Sequence, residues 1–73
     1  MARDVEIRGD MIRLGQLLKL ADVVDAGGEV KDYLAEVPVL VNGAPEARRG
    51  RQLHPGDVVT TGGEHFHLVR GTP

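Results

Sequence analysis

The apolar residues Leu14, Leu17, Leu18, Ala21 and Val24 recur at spacings of three and four, and after Pro38 that spacing gives way to short apolar runs separated by turn residues. A three-four spacing marks one face of an α-helix, whereas short runs between turns mark strands. This change of period constrains the chain strongly. Helices come early, and a region rich in hairpins follows.

Residues 5–9, VEIRG, alternate apolar and polar and predict a short first strand. The segment RLGQLLKLADVV from Arg13 predicts the first helix, ended by Gly27-Gly28, because glycine takes the left-handed cap conformation without a side-chain clash. Lys19 points away from the apolar stripe of that helix. In GEVKDYLAE, Val30, Tyr33 and Leu34 share a face of a second helix, with Lys31 and Asp32 toward solvent. Glu29 sits in its first turn, where the helix dipole favours an acid. Pro38 stops this helix, since the residue before a proline is pushed out of helical geometry.

Val39, Leu40 and Val41 then run into Asn42-Gly43, a strong hairpin signal. Pro45 weakens the returning strand, so the stretch to Gly50 is expected as an irregular loop or edge. His54-Pro55-Gly56-Asp57 reads as a turn. Val58 to Thr61, Gly62-Gly63 and His65 to Val69 read as a final hairpin. The expected fold is α+β: two short helices packed on one face of a small antiparallel sheet, in a single domain covering residues 1–73.

Size and residue types exclude several function classes. A chain of 73 residues buries only about 60% of the surface its unfolded form exposes, which leaves no room for a second, catalytic domain. Cysteine and serine are both absent. Disulfides, cysteine-held zinc and the commonest nucleophiles of covalent catalysis are therefore missing. The carboxylates lie beside turns or on helix surfaces, and so small a domain offers little volume for a buried pocket that would tune one for acid–base work. A binding module is expected rather than an enzyme, with no cofactor and no small-molecule substrate. No apolar run approaches the roughly 20 residues of a membrane helix, and MARDVEIRGD carries acids where a signal peptide needs an apolar centre. A cytoplasmic setting without a membrane partner is expected.

Three smaller features have structural readings. His65 and His67, two apart on a strand, project from the same face, and His54 could approach them to complete a zinc site. No second ligand pair of diagnostic spacing accompanies them, so no metal is assigned. Gly27-Gly28 before a helix could offer backbone N–H groups to a phosphate, but the pair lacks the longer glycine pattern of a nucleotide loop, and architecture is its expected role. Tyr33 and Phe66 are the only aromatics, too few for the stacking platform of a single-strand binder.

Charge is the informative feature. The net charge is -2, yet Arg48, Arg49 and Arg51 fall within four positions directly after the predicted hairpin turn. A local patch of this kind can hold a polyanion despite the total, because salt screens charges more than about 8 Å from the contact. Guanidinium groups present flat forks of donors that match phosphate oxygens, and Gly50 lets the loop lie close to a backbone. Lys19 and Lys31 extend the cluster if the two helices lie beside the hairpin.

The segments IRLGQLLKLADVV, GGEVK, VLVNG, ARRGRQL and PGDVV stand in an order and spacing that resemble the S-four RNA-binding domain, named after a ribosomal small-subunit protein, in its short stand-alone bacterial form. The likeness covers about residues 12–59. It implies an S-four-like, alpha-L-type fold and non-catalytic binding of structured RNA in ribosomal or transfer RNA contexts, with ribosomal subunits among the partners. The implied contacts are Arg13 and Lys19 on the first helix, Lys31 on the second, and Arg48, Arg49 and Arg51 in the loop. Asn42, Gly43, Gly56 and Asp57 match positions concerned with turn geometry. Two positions depart from the pattern: Val37-Pro38 stands where such domains usually close the second helix with glycine, and Ala26 where a serine often caps it.

Two other classes fit parts of the sequence. VNG with PGDVV also occurs in β-grasp sulfur carriers, but those end in an exposed Gly-Gly and open with a strand hairpin before their helix, whereas this chain ends Arg70-Gly71-Thr72-Pro73 and places two helical segments before its main hairpin. A protein-interaction adaptor in ribosome assembly would use the same arginines on an acidic protein partner.

Overall fold

The computed structural model describes residues 2–25 and 29–71, so Gly27-Gly28 and Ala26 lie outside the described residues. Strand β1 (Ala2–Ile7) and the short β2 (Ile12–Arg13) lead into helix α1 (Leu14–Leu20); helix α2 (Val30–Glu36) follows. Five strands complete the chain: β3 (Val39–Val41), β4 (Ala44–Pro45), β5 (Gln52–Leu53), β6 (Val58–Thr61) and β7 (Glu64–Arg70). The main sheet has the order β1-β7-β6-β3-β4, and β2 pairs with β5 in a separate small ribbon. The architecture is the expected α+β arrangement of two short helices with a small sheet.

Both helices bury the residues their spacing selects. Leu14, Leu17 and Leu18 of α1 are fully enclosed, with Ala21 and Val24 beyond it, and Val30 and Leu34 of α2 join the same core. The helix α1 nonetheless ends at Leu20, well before Gly27. Asp22 adopts a left-handed φ of 60°. The N–H of Asp22 reaches the carbonyl of Lys19 (3.1 Å) and that of Val23 reaches Leu18 (2.9 Å), which is the Schellman pattern that closes a helix. Aspartate is one of the few side chains that tolerates this conformation, so the stop carries no glycine to announce it. Arg3 finishes this end of the helix, donating from Nη2 to the Ala21 carbonyl at 2.7 Å. Its guanidinium lies 4.9 Å from the centroid of the Phe66 ring.

The sheet is mixed rather than purely antiparallel, because β1 runs parallel to β7 with Val5 opposite Leu68. Parallel neighbours need a long crossover, and here everything from α1 to β6 supplies it. The remaining pairs are antiparallel. Asn42 (φ 51°) and Gly43 (φ 83°) form the tight turn between β3 and β4, and Gly62 and Gly63 (φ 58° and 79°) form the one between β6 and β7. Both are turns whose two central residues need positive φ, the geometry that matches strand twist. Phe66 and Leu68 point into the core, so His65 and His67 face outward on β7. His65 Nδ1 lies 2.9 Å from Thr60 Oγ1, and His67 Nδ1 lies 3.4 Å from Asp4. Among the described residues no cluster of three metal-ligating side chains forms.

The exit from α2 shows what Val37-Pro38 does in place of a glycine. Val37 is already extended (φ -116°, ψ 126°), and the chain passes straight into β3. The buried hydroxyl of Thr61 donates to the Pro38 carbonyl at 3.0 Å. That leaves its oxygen to accept from the Tyr33 hydroxyl at 2.8 Å, so α2, the entry to β3 and β6 are tied at one atom. Thr61→Val removes both bonds while keeping the shape, and is expected to cost about 1–3 kcal/mol in urea unfolding. An unchanged midpoint would mean that the two bonds add nothing net.

Candidate nucleic-acid interface

The arginine loop begins where Pro45 ends the edge strand β4 and is held against the start of α1. Three successive loop carbonyls point inward. Arg49 accepts from the N–H of Gly15 at 2.9 Å and Arg51 from that of Leu14 at 2.9 Å. The carbonyl of Gly50 accepts from Arg13 Nη1 at 3.0 Å. These contacts satisfy first-turn donors that a helix cannot satisfy by itself. Gln16 adds half of a capping box, its Oε1 accepting from the N–H of Arg13 at 3.1 Å. The N–H groups of Leu14 and Gly15 are thus spent on the protein's own loop.

Gly15 makes this docking possible. A Cβ there would stand 3.3 Å from Val30 Cγ1, 3.4 Å from Arg49 Cβ and 3.5 Å from the Arg49 carbonyl oxygen. A side chain at Gly50, by contrast, would meet nothing within 4 Å, so Gly50 leaves the outer surface of the loop open. The close approach inside the protein is therefore made at Gly15, a residue the sequence offered only as one more helix position. Gly15→Leu is expected to wedge the loop off α1 and weaken polyanion binding about as much as losing Arg49, with most of the helix content retained. Circular dichroism and a binding titration on the same sample check this.

The loop arginines do not act alike. Arg48 and Arg51 converge on Glu46, whose side chain is only 8% exposed. Oε2 accepts from Arg48 Nε at 3.1 Å and Oε1 from Arg48 Nη2 at 3.2 Å, a two-pronged contact, while Arg51 Nη1 reaches Oε1 at 2.8 Å. The Arg48 and Arg51 hydrogen bonds, with the Arg48 backbone N–H, hold the Glu46 carboxyl at about 2, below its ordinary 4.5. The sign of the linkage follows: the stability from this contact is complete above pH 4.5 and is lost as the pH falls toward 2. Acid titration of the melting temperature is expected to show that loss, and Glu46→Gln to remove its share.

Arg49 lies on the other side of the loop. With Lys31, Leu34, Ala35 and Ala47 it lines a shallow concavity between loop and α2. Arg48 and Arg51 line a second one, with Gly50, Gln52, His54 and Asp57. Lys19 is four residues beyond Gly15 on α1, hence about 40° around the helix from the point where the loop docks. Its side chain is exposed on that flank. No ion pair among the described residues engages Arg13, Lys19, Lys31 or Arg49. Arg49 and Lys31 thus meet between the loop and α2, Arg48 and Arg51 lie on the loop's other side, Arg13 turns back to hold the loop, and Lys19 stands one turn along α1.

Asn42 and Asp57 hold the far wall. Asn42 Nδ2 donates to Asp57 Oδ1 at 3.0 Å, and Asn42 Oδ1 accepts from the N–H of Val58 at 2.9 Å. Asp57 Oδ2 accepts from the N–H of His54 at 2.8 Å, closing the turn between β5 and β6. Burial alone would push the Asp57 carboxyl up; the Asn42 and His54 hydrogen bonds and the neighbouring charges of His54 and Arg51 outweigh it and leave the carboxyl lowered. These residues do the turn work their positions predicted. Glu46 was not among the predicted residues: an acid two places before an arginine pair looks like ordinary charge mixing until its burial is seen.

The chain is 56% identical over 59 residues to a Bacillus subtilis (strain 168) protein named "probable ribosome maturation protein RlbA", covering 81% of this chain and 83% of that one. No solved structure matches. The S4-domain family model matches residues 5–69, which takes in the second half of β1 and most of β7 as well as the helices and the arginine loop. With nearly its whole length matched, this chain belongs to the S4-domain family.

Proposed function

We propose that this protein is a non-catalytic RNA-binding factor of the cytoplasm that recognises structured ribosomal RNA and acts in ribosome maturation. The observation that carries the reading is the docking of the arginine loop on α1. Backbone hydrogen bonds from Leu14 and Gly15 turn the loop carbonyls inward, with the side chain of Arg49 beside Lys31 on one side of the loop and those of Arg48 and Arg51 together on the other. Membership of the S4-domain family and the ribosome-maturation name of the Bacillus subtilis relative support it. No helix of the described residues is long and apolar enough to cross a membrane.

The mechanism follows from charge and shape. Double-helical RNA hides its base edges in a deep, narrow major groove, so a small rigid domain reads phosphate spacing and 2′-hydroxyls. Arg48, Arg49 and Arg51 bridge phosphates along the loop, and Lys19 and Lys31 add point charges from the helices. Arg13 acts mainly by holding the loop, since it already donates to Gly50.

The test is binding of the purified protein to a ribosomal RNA stem-loop, a DNA duplex of matched sequence and an unstructured single strand, across a salt series. Preference for the folded RNA with a salt slope of several units supports the reading. Equal, weak binding to all three would end it and direct attention to a protein partner.

A further inference from the structure

Glu46 is an acid in the middle of the proposed RNA surface, and counting charges makes it a defect. Its contacts say otherwise. Oε2 also accepts from the N–H groups of Ala47 (3.1 Å) and Arg48 (3.2 Å), so the carboxylate is fixed by backbone before either arginine side chain is considered. An anchored carboxylate then fixes Arg48 along its Nε–Nη2 edge and Arg51 through Nη1.

A guanidinium has five N–H donors. Glu46 takes the Nε and one Nη2 hydrogen of Arg48 and one Nη1 hydrogen of Arg51. Among the described residues the Nη1 group of Arg48 and the Nη2 group of Arg51 have no acceptor and keep all their donors. The side chain of Arg48 is 76% exposed and that of Arg51 37% exposed, so these unused donors are open to a ligand. The arginine ends of these pairs are open to solvent, which keeps their share of stability modest, so the main consequence of this arrangement is where it holds the two guanidinium groups.

Resting on the RNA-binding reading above, we infer that Glu46 is a positioning residue for RNA: it holds Arg48 and Arg51 as a preformed pair of forks for phosphates of the RNA backbone. Two long side chains ordered during folding need not be ordered at binding, which is how preorganisation raises affinity. The carboxyl stays ionised throughout the pH range of any binding assay, because those same arginine bonds hold it at about 2.

Charge counting and positioning predict opposite results. If Glu46 acts only as a negative charge, Glu46→Gln tightens RNA binding, and Glu46→Asp, which keeps the charge but is one methylene shorter, changes nothing. If Glu46 positions the pair, both variants bind the stem-loop more weakly, by roughly tenfold, the cost of ordering two arginine side chains. Glu64→Gln removes an exposed acid outside the loop and is the charge control. The Arg48 Nε–H resonance, measured in the free proteins, reports the contact directly and is expected to shift and broaden in both Glu46 variants. Thermal melts confirm that each is folded; should a Glu46 variant unfold, Arg48→Lys serves instead, keeping the charge and losing the two-pronged bond. Wild-type affinity in Glu46→Asp or in Arg48→Lys, or tighter binding by Glu46→Gln, overturns the inference and leaves RNA binding standing. Absence of stem-loop binding by the wild type overturns both.

Discussion

Alanine at Arg48, Arg49 and Arg51 together is expected to reduce the salt slope of RNA binding by about two to three units, since each phosphate contact contributes a little under one unit. At about 1 kcal/mol for each exposed contact, the loss at moderate salt is roughly a hundredfold. The fold should survive this change. The loop is fixed to α1 through backbone groups, the N–H donors of Leu14 and Gly15 and the carbonyls of Arg51 and Arg49, which alanine retains. Glu46 is then left without its two arginine partners in the proposed RNA surface. The remaining surface repels phosphate more than a count of three lost charges implies. A triple variant that keeps the wild-type slope would show that the loop is a solvated face and that RNA, if bound, is held elsewhere.

Phe66→Ala is expected to have the largest effect on stability. Phe66 is fully buried at the middle of β7, opposite Arg3 on β1 and Val59 on β6, so its ring sits in the core between the two neighbouring strands. Truncating such a ring costs about 3–5 kcal/mol through lost burial and the cavity left behind. Domains generally have about 5–15 kcal/mol in total, and one this small lies toward the low end. The variant should therefore show a large unfolded fraction at physiological temperature, visible as a lowered urea midpoint and lost far-ultraviolet signal. The Arg3 guanidinium would also lose the ring it lies over. A drop of less than 1 kcal/mol would mean that the neighbouring side chains close the cavity almost completely.

Much of the candidate site was legible in residue types and spacing, and the reason is that those signals act over a few residues. The three-four stripe placed Leu14, Leu17, Leu18, Val30 and Leu34 in the core. Asn42-Gly43 and Gly62-Gly63 specified their turns, because positive φ is cheap for those residues and costly for most others. Pro45 limited β4 to two residues and left the arginines in a loop. The basic cluster itself was visible as three arginines in four positions.

What the sequence by itself determined about this protein is therefore its set of local elements, their order and the charge on one loop. Tertiary structure decided how those pieces meet: β1 beside β7 in parallel, α1 stopped at Asp22, the loop seated on Gly15, and Glu46 folded under Arg48 and Arg51. The physical reason is the nature of the contacts. Backbone carbonyls and N–H groups made most of these junctions, and every residue carries them, so they leave no mark in the order of side chains.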